Sequence, residues 1–257
     1  MEYIEFIEFI RRIIKKAGKM SLETKKNLEV TNKGLNDIVT SMDRDINCFL
    51  ESSINRYYPN HNIISEENNT DLSVVQNSNY SWIIDPLDGT VNYVHQKINF
   101  TIAIALCKNN EPMISGIYDP SRDEFFYAIK NKGAFLNDKK IFMKHENSLQ
   151  ECLLNVCWNQ KNNPFKQPFN VRGIRQLGSA SLELAYIAAG RLDIFLYDRL
   201  QPWDFVAGKL LIEEAGGIIT TAYGKKLTIN NKSSVLATSQ SIYQELNNYM
   251  NLKTVEE

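Results

Sequence analysis

The first sixty residues carry a helical pattern of apolar positions. Between residues 3 and 17 apolar side chains recur at helical spacing, at Ile4, Ile7, Ile10 or Ile14, and Ala17. This spacing predicts an amphipathic first helix. The polar residues 31–38 predict a loop or an irregular pair of strands. A second helix is predicted over about residues 41–57, with Pro59 ending it.

The middle of the chain has patterns typical of strands. Residues 62–65 predict a short strand, and the polar residues 68–79 predict an exposed loop. Four apolar runs then follow in series, separated by turn-forming residues: WIID, INFTIAIALCKN, MISGIYDP and EFFYAIKNKGAFLN. Strands in series favour an antiparallel or mixed sheet.

The second half alternates strands with helices. Residues 151–157 predict a strand, and Ser181 is predicted to cap the helix that follows it. A further helix ends at Gly216 and Gly217, which form a good C-terminal stop. The remaining predicted elements are the strands IFLY, GIITTA and SSVLATS and the final helix SIYQELNNYM. Sheets layered with helices, in one α/β assembly, are the predicted fold class.

Composition narrows the possible partners. The 257 residues are 43% apolar, which is enough for a large core. Lys plus Arg (29) nearly balances Asp plus Glu (30), so no overall charge indicates a nucleic acid or a membrane as partner. Any anionic ligand must be bound locally. The four cysteines lack zinc-site spacing and are predicted to be reduced core thiols.

Targeting signals are not evident in the sequence. The N-terminal segment has acids within its apolar face and no small-residue cleavage site, which argues against a secretory signal. No run approaches the roughly 20 apolar residues that span a bilayer. A cytoplasmic protein is therefore predicted.

The stretch WIIDPLDGT places two acids three residues apart at the end of an apolar run. Pro86 fixes the backbone, and a turn would bring Asp88 round toward Asp85. Gly89 would then allow a ligand to approach the backbone closely. Such a place suits magnesium, which prefers carboxylate oxygens and keeps phosphate and water as other ligands. The alternative is structural, with both acids serving only to stabilise a turn.

Two further acids favour a functional interpretation. Glu66 follows an apolar strand, and Asp204 opens a helix directly after Pro202 and Trp203. Each alone could be a solvated strand end or a helix-capping acid. In combination with DPLDGT they are harder to explain structurally.

Longer motifs carry a family resemblance. WIIDPLDGTVNYVH, with ISEEN upstream and QPWDFVAGKLLIEEAGG downstream, resembles the magnesium-dependent, lithium-sensitive inositol monophosphatase family. The similarity extends from NDIVTSMD through GIRQLGSASLELAYIAAG to the EAGG helix. It implies a layered αβαβα sandwich, shared with fructose bisphosphatases. It also implies one domain over residues 1–257, with halves 1–145 and 146–257, and a homodimer.

The resemblance implies a metal site. Glu66, Asp85 and the carbonyl of Leu87 would hold one magnesium, and Asp85, Asp88 and Asp204 a second. Two or three ions per site are expected, with manganese as a possible substitute for magnesium. Two metals can activate water and stabilise the leaving alkoxide, so no catalytic Ser, Cys or His is required. The histidines, His61, His95 and His145, are predicted to serve packing or the surface.

The resemblance also implies catalytic and substrate-binding residues. Glu66, Asp43 and Thr90 are the catalytic set, in which Asp43 pairs with Thr90 and Thr90 orients the attacking water. The expected substrate contacts are Asp88, Gly89, Thr90, Gly178, Ser179, Ala180, Arg199 and Asp204. By the same resemblance, the N–H groups of Gly89 and Thr90 would face the phosphate, and the backbone at residues 178–180 would line the alcohol portion of the substrate. Asp37 is a further acid near the site.

One position departs from the family pattern. Tyr197 lies seven residues before Asp204, where animal-type members carry an acid that binds inositol hydroxyls. Arg199 could instead favour a second anionic group, or could be a surface residue. The leading hypothesis is a phosphatase for a small phosphorylated metabolite, with myo-inositol 1-phosphate as the first candidate. The alternatives are NADP, 3′-phosphoadenosine 5′-phosphate or fructose 1,6-bisphosphate as substrate, or a regulatory binding protein.

Overall fold

Two β-sheets form the framework of the fold. The computed structural model describes residues 2–23, 28–32, 38–68, 79–144, 148–158 and 170–249. The helices are α1 (Glu2–Leu22), α2 (Ser41–Tyr57), α3 (Thr90–His95), α4 (Ala180–Ala188), α5 (Pro202–Glu214) and α6 (Gln240–Tyr249). The strands are β1 (Val30–Asn32), β2 (Ile38–Thr40), β3 (Asn62–Ser65), β4 (Tyr80–Asp88), β5 (Thr101–Lys108), β6 (Glu111–Asp119), β7 (Glu124–Ile129), β8 (Gly133–Leu136), β9 (Lys139–Ile141), β10 (Leu153–Cys157), β11 (Gly173–Ile174), β12 (Ile194–Leu200), β13 (Ile218–Thr220) and β14 (Ser233–Thr238).

The larger sheet contains β3 to β9 in chain order. Only its β3–β4 pair is parallel, and each later neighbour is antiparallel. The connection from β4 to β5 contains α3, whereas β5 to β9 are joined by short turns, as expected for antiparallel neighbours. The mixed sheet predicted from the serial strands is confirmed. A short antiparallel pair, β1 with β2, stands apart from it.

Helices α1 and α2 cover one face of the larger sheet. Trp82 and Ile84 of β4 are buried in the same apolar cluster as these helices, whereas Ile83 belongs to the cluster on the opposite face. This alternation is that of a strand buried on both sides. The first helix is longer than predicted, and the inward position predicted for Ile4 is wrong because its side chain is 63% exposed.

Helices α4 and α5 lie between the two sheets. Their apolar residues share one buried cluster with Ile83 of the larger sheet and with Phe195 and Val235 of the smaller one. The helices approach each other closely at Gly208, where a Cβ atom would lie 2.6 Å from the Leu184 side chain. The middle layer therefore depends on a residue without a side chain.

The smaller sheet has the order β11-β10-β12-β14-β13. Its outer face packs against α6 through a third apolar cluster that includes Leu196, Leu236 and Ile242. The layers are thus helix, sheet, helix, sheet and helix, and the predicted αβαβα fold is confirmed. None of the helices in the described ranges has the length and apolar content needed to cross a bilayer.

Three local predictions are wrong. The predicted turn at Pro86 is a continuation of β4. Ser179, not Ser181, caps α4, since the Ser179 hydroxyl accepts a hydrogen bond from the N–H of Leu182. Cys48 and Cys157 are exposed rather than in the core, although both are free thiols. Most of the predicted loop over residues 68–79 lies outside the described residues, as does His145.

Candidate active site

Asp85 and Asp88 reach the same face of β4 because the strand contains a bulge. Residues three apart in a regular strand point to opposite faces. In the pairing with β5, however, Asp85 lies opposite Ala103 and Asp88 opposite Thr101, so β4 has one residue more than its neighbour. Pro86, which has no N–H to donate, lies within this interval. The bulge brings both carboxylates to the face that carries α4 and α5.

Asp88 is held by the second half of the chain. Its Oδ2 atom accepts hydrogen bonds from the Ser179 hydroxyl at 2.7 Å, the Ser181 N–H at 2.6 Å and the Ser181 hydroxyl at 2.5 Å. Thr101 lies within 2.6 Å of the Ser181 hydroxyl oxygen. Burial raises the pKa of Asp88, and these donors oppose the rise by stabilising the charged form.

Of the four acids Glu66, Asp85, Asp88 and Asp204, Asp85 is the most deeply buried. Its Oδ1 atom accepts a hydrogen bond from the N–H of Leu87 at 3.1 Å. Its pKa is raised well above the ordinary value, first by burial and then by repulsion from Glu66, Asp88 and Asp204. Four carboxylates thus interact at one place, and their charge must be compensated by protons or by cations.

Glu66 and Asp204 are positioned by the elements that carry them. Glu66 directly follows β3, and its N–H donates to the carbonyl of Ile84 at 3.2 Å. Asp204 lies in the first turn of α5, where its Oδ2 atom accepts from the N–H of Gln201 at 2.8 Å. This capping contact fixes the start of the helix and the direction of the acid.

A cavity of about 160 Å³ lies where these acids meet. Its lining residues are Ile38, Glu66, Asp85, Leu87, Asp88, Gly89, Thr90, Val91, Gly178 and Asp204. None of the described residues that line it is a lysine, an arginine or a histidine. Among the described residues, no group of three or more His, Cys, Asp or Glu side chains is arranged to hold a metal ion as it stands.

Thr90 and Asp43 are hydrogen-bond partners at the edge of the cavity. The Thr90 hydroxyl lies 3.0 Å from Asp43 Oδ1 and 3.0 Å from the Leu87 carbonyl, so its single proton has two acceptors. Asp43 also caps α2, because its Oδ2 atom accepts from the N–H and the hydroxyl of Thr40. Burial raises the pKa of Asp43, and these donors oppose the rise.

The remaining predicted substrate contacts are divided. Gly89, with φ of 87°, and Gly178, with φ of 79°, line the cavity. Ser179 and Ala180 are buried and do not line it. Arg199 is exposed and does not line it either. Asp37 lies outside the described residues.

Three polar residues near the site were not predicted. Ser181 holds Asp88, while Asn92 and Glu183 contact the segment that leads into Gly178. Glu183 has a recognisable signal in the sequence SASLEL. It is a charged residue among apolar helix positions, just after a capping serine, and such a residue is seldom buried without a partner. Asn92 gives no such signal, because its partners are carbonyl groups distant in the sequence.

The arrangement agrees with a family comparison. The model of the inositol monophosphatase family matches residues 2–253. The chain belongs to this family. It is therefore a phosphatase, and members of the inositol monophosphatase family are generally metal-dependent.

Individual relatives within the inositol monophosphatase family bear several names. An inositol-1-monophosphatase of Bacillus subtilis is 37% identical over 254 residues, which cover 95% of this chain and 96% of the relative. A fructose-1,6-bisphosphatase/inositol-1-monophosphatase of Thermotoga maritima is 33% identical, with 90% of each chain covered. The crystal structure of the extragenic suppressor protein suhB from Bartonella henselae superposes with a TM-score of 0.86. It is 30% identical, and the match covers 97% of this chain and 99% of that one.

Proposed function

We propose that this phosphatase is magnesium-dependent and hydrolyses a small phosphate monoester, with myo-inositol 1-phosphate as the leading substrate. The observation that carries the proposal is the shared cavity of Glu66, Asp85, Asp88 and Asp204. The name of the Bacillus subtilis relative supports the choice of ester. Hydrolysis of such an ester is among the slowest reactions in water, so strong charge stabilisation is needed.

The donor set fits a hard divalent cation. All four acidic side chains offer carboxylate oxygens, which magnesium prefers, and Leu87 adds a carbonyl oxygen. Glu66, Asp85 and Leu87 would hold one ion, and Asp85, Asp88 and Asp204 a second. When bound, the ions would lower the pKa of a coordinated water and stabilise charge on the leaving oxygen. Burial, and then repulsion from the other three carboxylates, raises the pKa of Asp85, and bound cations would offset that repulsion.

The residues of the chain have separate tasks in this proposal. Asp43 accepts the Thr90 proton at Oδ1, which leaves the Thr90 oxygen lone pairs oriented to accept from an attacking water. The N–H groups at Gly89 and Thr90 would face the phosphate. Asp88 would meet a metal through Oδ1, because its Oδ2 atom already accepts three hydrogen bonds.

The substrate alternatives differ at the alcohol side. Fructose 1,6-bisphosphate is supported by the name of the Thermotoga maritima relative. A nucleotide or bisphosphate would place a second anionic group near the mouth of the cavity, and the exposed Arg199 could meet it. Tyr197 has no carboxylate to offer to sugar hydroxyls, and its own hydroxyl donates to Glu183 at 2.6 Å.

A substrate panel tests the proposal. Phosphate release would be measured with and without magnesium for inositol 1-phosphate, fructose 1,6-bisphosphate, NADP and 3′-phosphoadenosine 5′-phosphate. We expect magnesium-dependent release, with the highest kcat/KM for inositol 1-phosphate. Asp88→Asn should abolish activity at saturating metal, whereas Glu124→Gln, at an acid paired with Arg191, should not. Full activity of Asp88→Asn would contradict the two-metal assignment. A higher kcat/KM for another ester would make that ester the substrate in place of inositol 1-phosphate.

A further inference from the structure

The wall of the cavity at Gly178 is fixed by side chains rather than by secondary structure. Residues 175–179 lie between β11 and α4 and belong to neither. Gly178 is exposed and lines the cavity, and its φ of 79° lies in the region that favours glycine. A segment of this kind has no ladder to hold it, so its position depends on the groups that bind its backbone.

Asn92 binds this segment from the first half of the chain. Its Nδ2 atom donates to the Leu177 carbonyl at 2.6 Å and to the Asn99 carbonyl at 2.8 Å, which uses both amide hydrogens. A Cβ atom on Gly178 would lie 3.0 Å from the same Nδ2. Asn92 and Gly178 therefore lie so close together that a side chain at residue 178 would crowd the Asn92 amide.

Glu183 binds the segment from the other side. Its Oε1 atom accepts from the N–H of Leu177 at 2.6 Å and from the N–H of Gly178 at 3.0 Å. Its Oε2 atom accepts from the Tyr197 hydroxyl at 2.6 Å, and the Tyr197 ring stacks on Phe195 at 4.5 Å between centroids. The Glu183 side chain is fully buried, so these donors are what make its charge tolerable there.

We propose that Asn92 and Glu183 clamp the Leu177–Gly178 peptide, with Tyr197 orienting Glu183, so that Gly178 forms a fixed wall for the alcohol portion of the substrate. The inference rests on the proposed function, which places a phosphate ester in the cavity. All three are positioning residues, because none of them lines the cavity.

The clamp predicts that binding of the alcohol portion and binding of phosphate respond differently to substitution. Steady-state kinetics with inositol 1-phosphate would be compared with inhibition by inorganic phosphate, which has no alcohol portion. For Glu183→Met we expect KM to rise by between about tenfold and a hundredfold, with kcat within about threefold and phosphate inhibition unchanged. Glu183→Gln should stay near the wild type, because its amide oxygen can still accept from both N–H groups.

Matched variants keep the test decisive. Tyr197→Phe and Asn92→Ala should raise KM in the same way, and they remain informative if Glu183→Met fails to fold. Glu124→Met removes an acid bound to Arg191 and should leave KM unchanged. The clamp is refuted if Glu183→Met alters KM and phosphate inhibition equally, or alters neither.

Failure of the proposed function has a separate signature. A wild-type protein that hydrolyses no ester of the panel would remove the substrate assignment but not the clamp. Amide hydrogen exchange at Leu177 and Gly178 would then be measured. We expect faster exchange in Glu183→Met than in Glu183→Gln, and equal rates in the two would refute the clamp.

Discussion

Asp88 is the residue at which the two halves of the chain meet. It extends from β4 in the first half, yet three donors from Ser179 and Ser181 in the second half fix its Oδ2 atom. The donors stabilise its charged form against the effect of burial. Ser181 therefore acts on the site without lining the cavity.

Ser181→Ala should weaken metal binding without preventing catalysis. Loss of its hydroxyl donor leaves the Asp88 carboxylate less well oriented, and outer contacts of this kind typically change metal affinity by about 10-fold to 100-fold. We expect the magnesium concentration for half-maximal activity to rise by about tenfold, with kcat restored at saturating metal. Ser115→Ala is the matched control, because the buried Ser115 hydroxyl has no hydrogen-bond partner among the described residues. An unchanged magnesium dependence in Ser181→Ala would contradict this role.

At the scale of elements, an aromatic cluster joins the end of α2 to β4. The His61 ring stacks between Tyr58, at 5.1 Å, and Tyr80, at 4.8 Å. Its Nδ1 atom accepts a hydrogen bond from the Trp82 indole N–H at 3.0 Å. Burial lowers the pKa of His61, so the neutral ring is the form that fits.

His61 should make folding stability dependent on pH. Because its pKa is lower in the folded than in the unfolded protein, its contribution is present above pH ~6.5 and is lost as pH falls through the folded pKa. Urea unfolding would be followed between pH 8 and pH 5 in the wild type and in His61→Gln, which keeps an acceptor but does not titrate. We expect the wild type to lose stability more steeply toward pH 5. Parallel curves would contradict the assignment.

Packing between α4 and α5 gives a second prediction for an element. Gly208→Ala would place a methyl group 2.6 Å from Leu184 in the middle layer, which should cost about 1–3 kcal/mol of unfolding free energy. Leu184→Ala alone should cost about 2–5 kcal/mol. Unfolding of the double variant would complete the cycle. We expect it to lose less than the sum of the single losses, because removal of Leu184 Cγ and Cδ1 relieves part of the crowding while the Leu184 Cβ atom, also 2.6 Å away, remains. Additive losses would show that the two residues do not compete for space.

The sequence predicted elements better than it predicted their ends. α2 was placed correctly because Thr40 and Asp43 form a local capping box at its start. The cap of α4 is predicted wrongly because SAS contains two serines that can cap; the helix begins at Ala180, so Ser179 is the cap and Ser181 lies in the first turn. Both serines also donate to Asp88, 91 and 93 residues away, which the local sequence does not show. Pro86 is compatible with both a turn and a bulge, and only the pairing of β4 with β5 distinguishes the two. The sequence predicted the acids of the cavity, but it did not predict the residues that hold them in place.

At the scale of the whole molecule, the cavity connects parts that are far apart in sequence. Its acids follow β3, lie on β4 and begin α5, and Gly178 comes from the segment before α4. Bound cations would therefore link the larger sheet to the helical layer that packs on it. Their effect should appear in the stability of the entire fold.

Magnesium should raise the melting temperature. A ligand that binds only the folded chain stabilises it by about 2.7 kcal/mol at a hundred times its Kd. Calorimetry would compare magnesium chloride with sodium chloride at equal ionic strength, so that general screening is matched. We expect the magnesium-specific increase to disappear in Asp204→Asn. An equal increase with both salts would argue against a specific site.

The bulge in β4 has a consequence for protein engineering. Copying the nine letters WIIDPLDGT onto a strand of another scaffold would not transplant the pair of acids, because a strand paired in regular register would turn one of them away. The transferable unit is the irregular strand together with the partner strand that carries Ala103 and Thr101. Grafting both strands would keep the two carboxylates on the same face, whereas grafting the sequence alone would not.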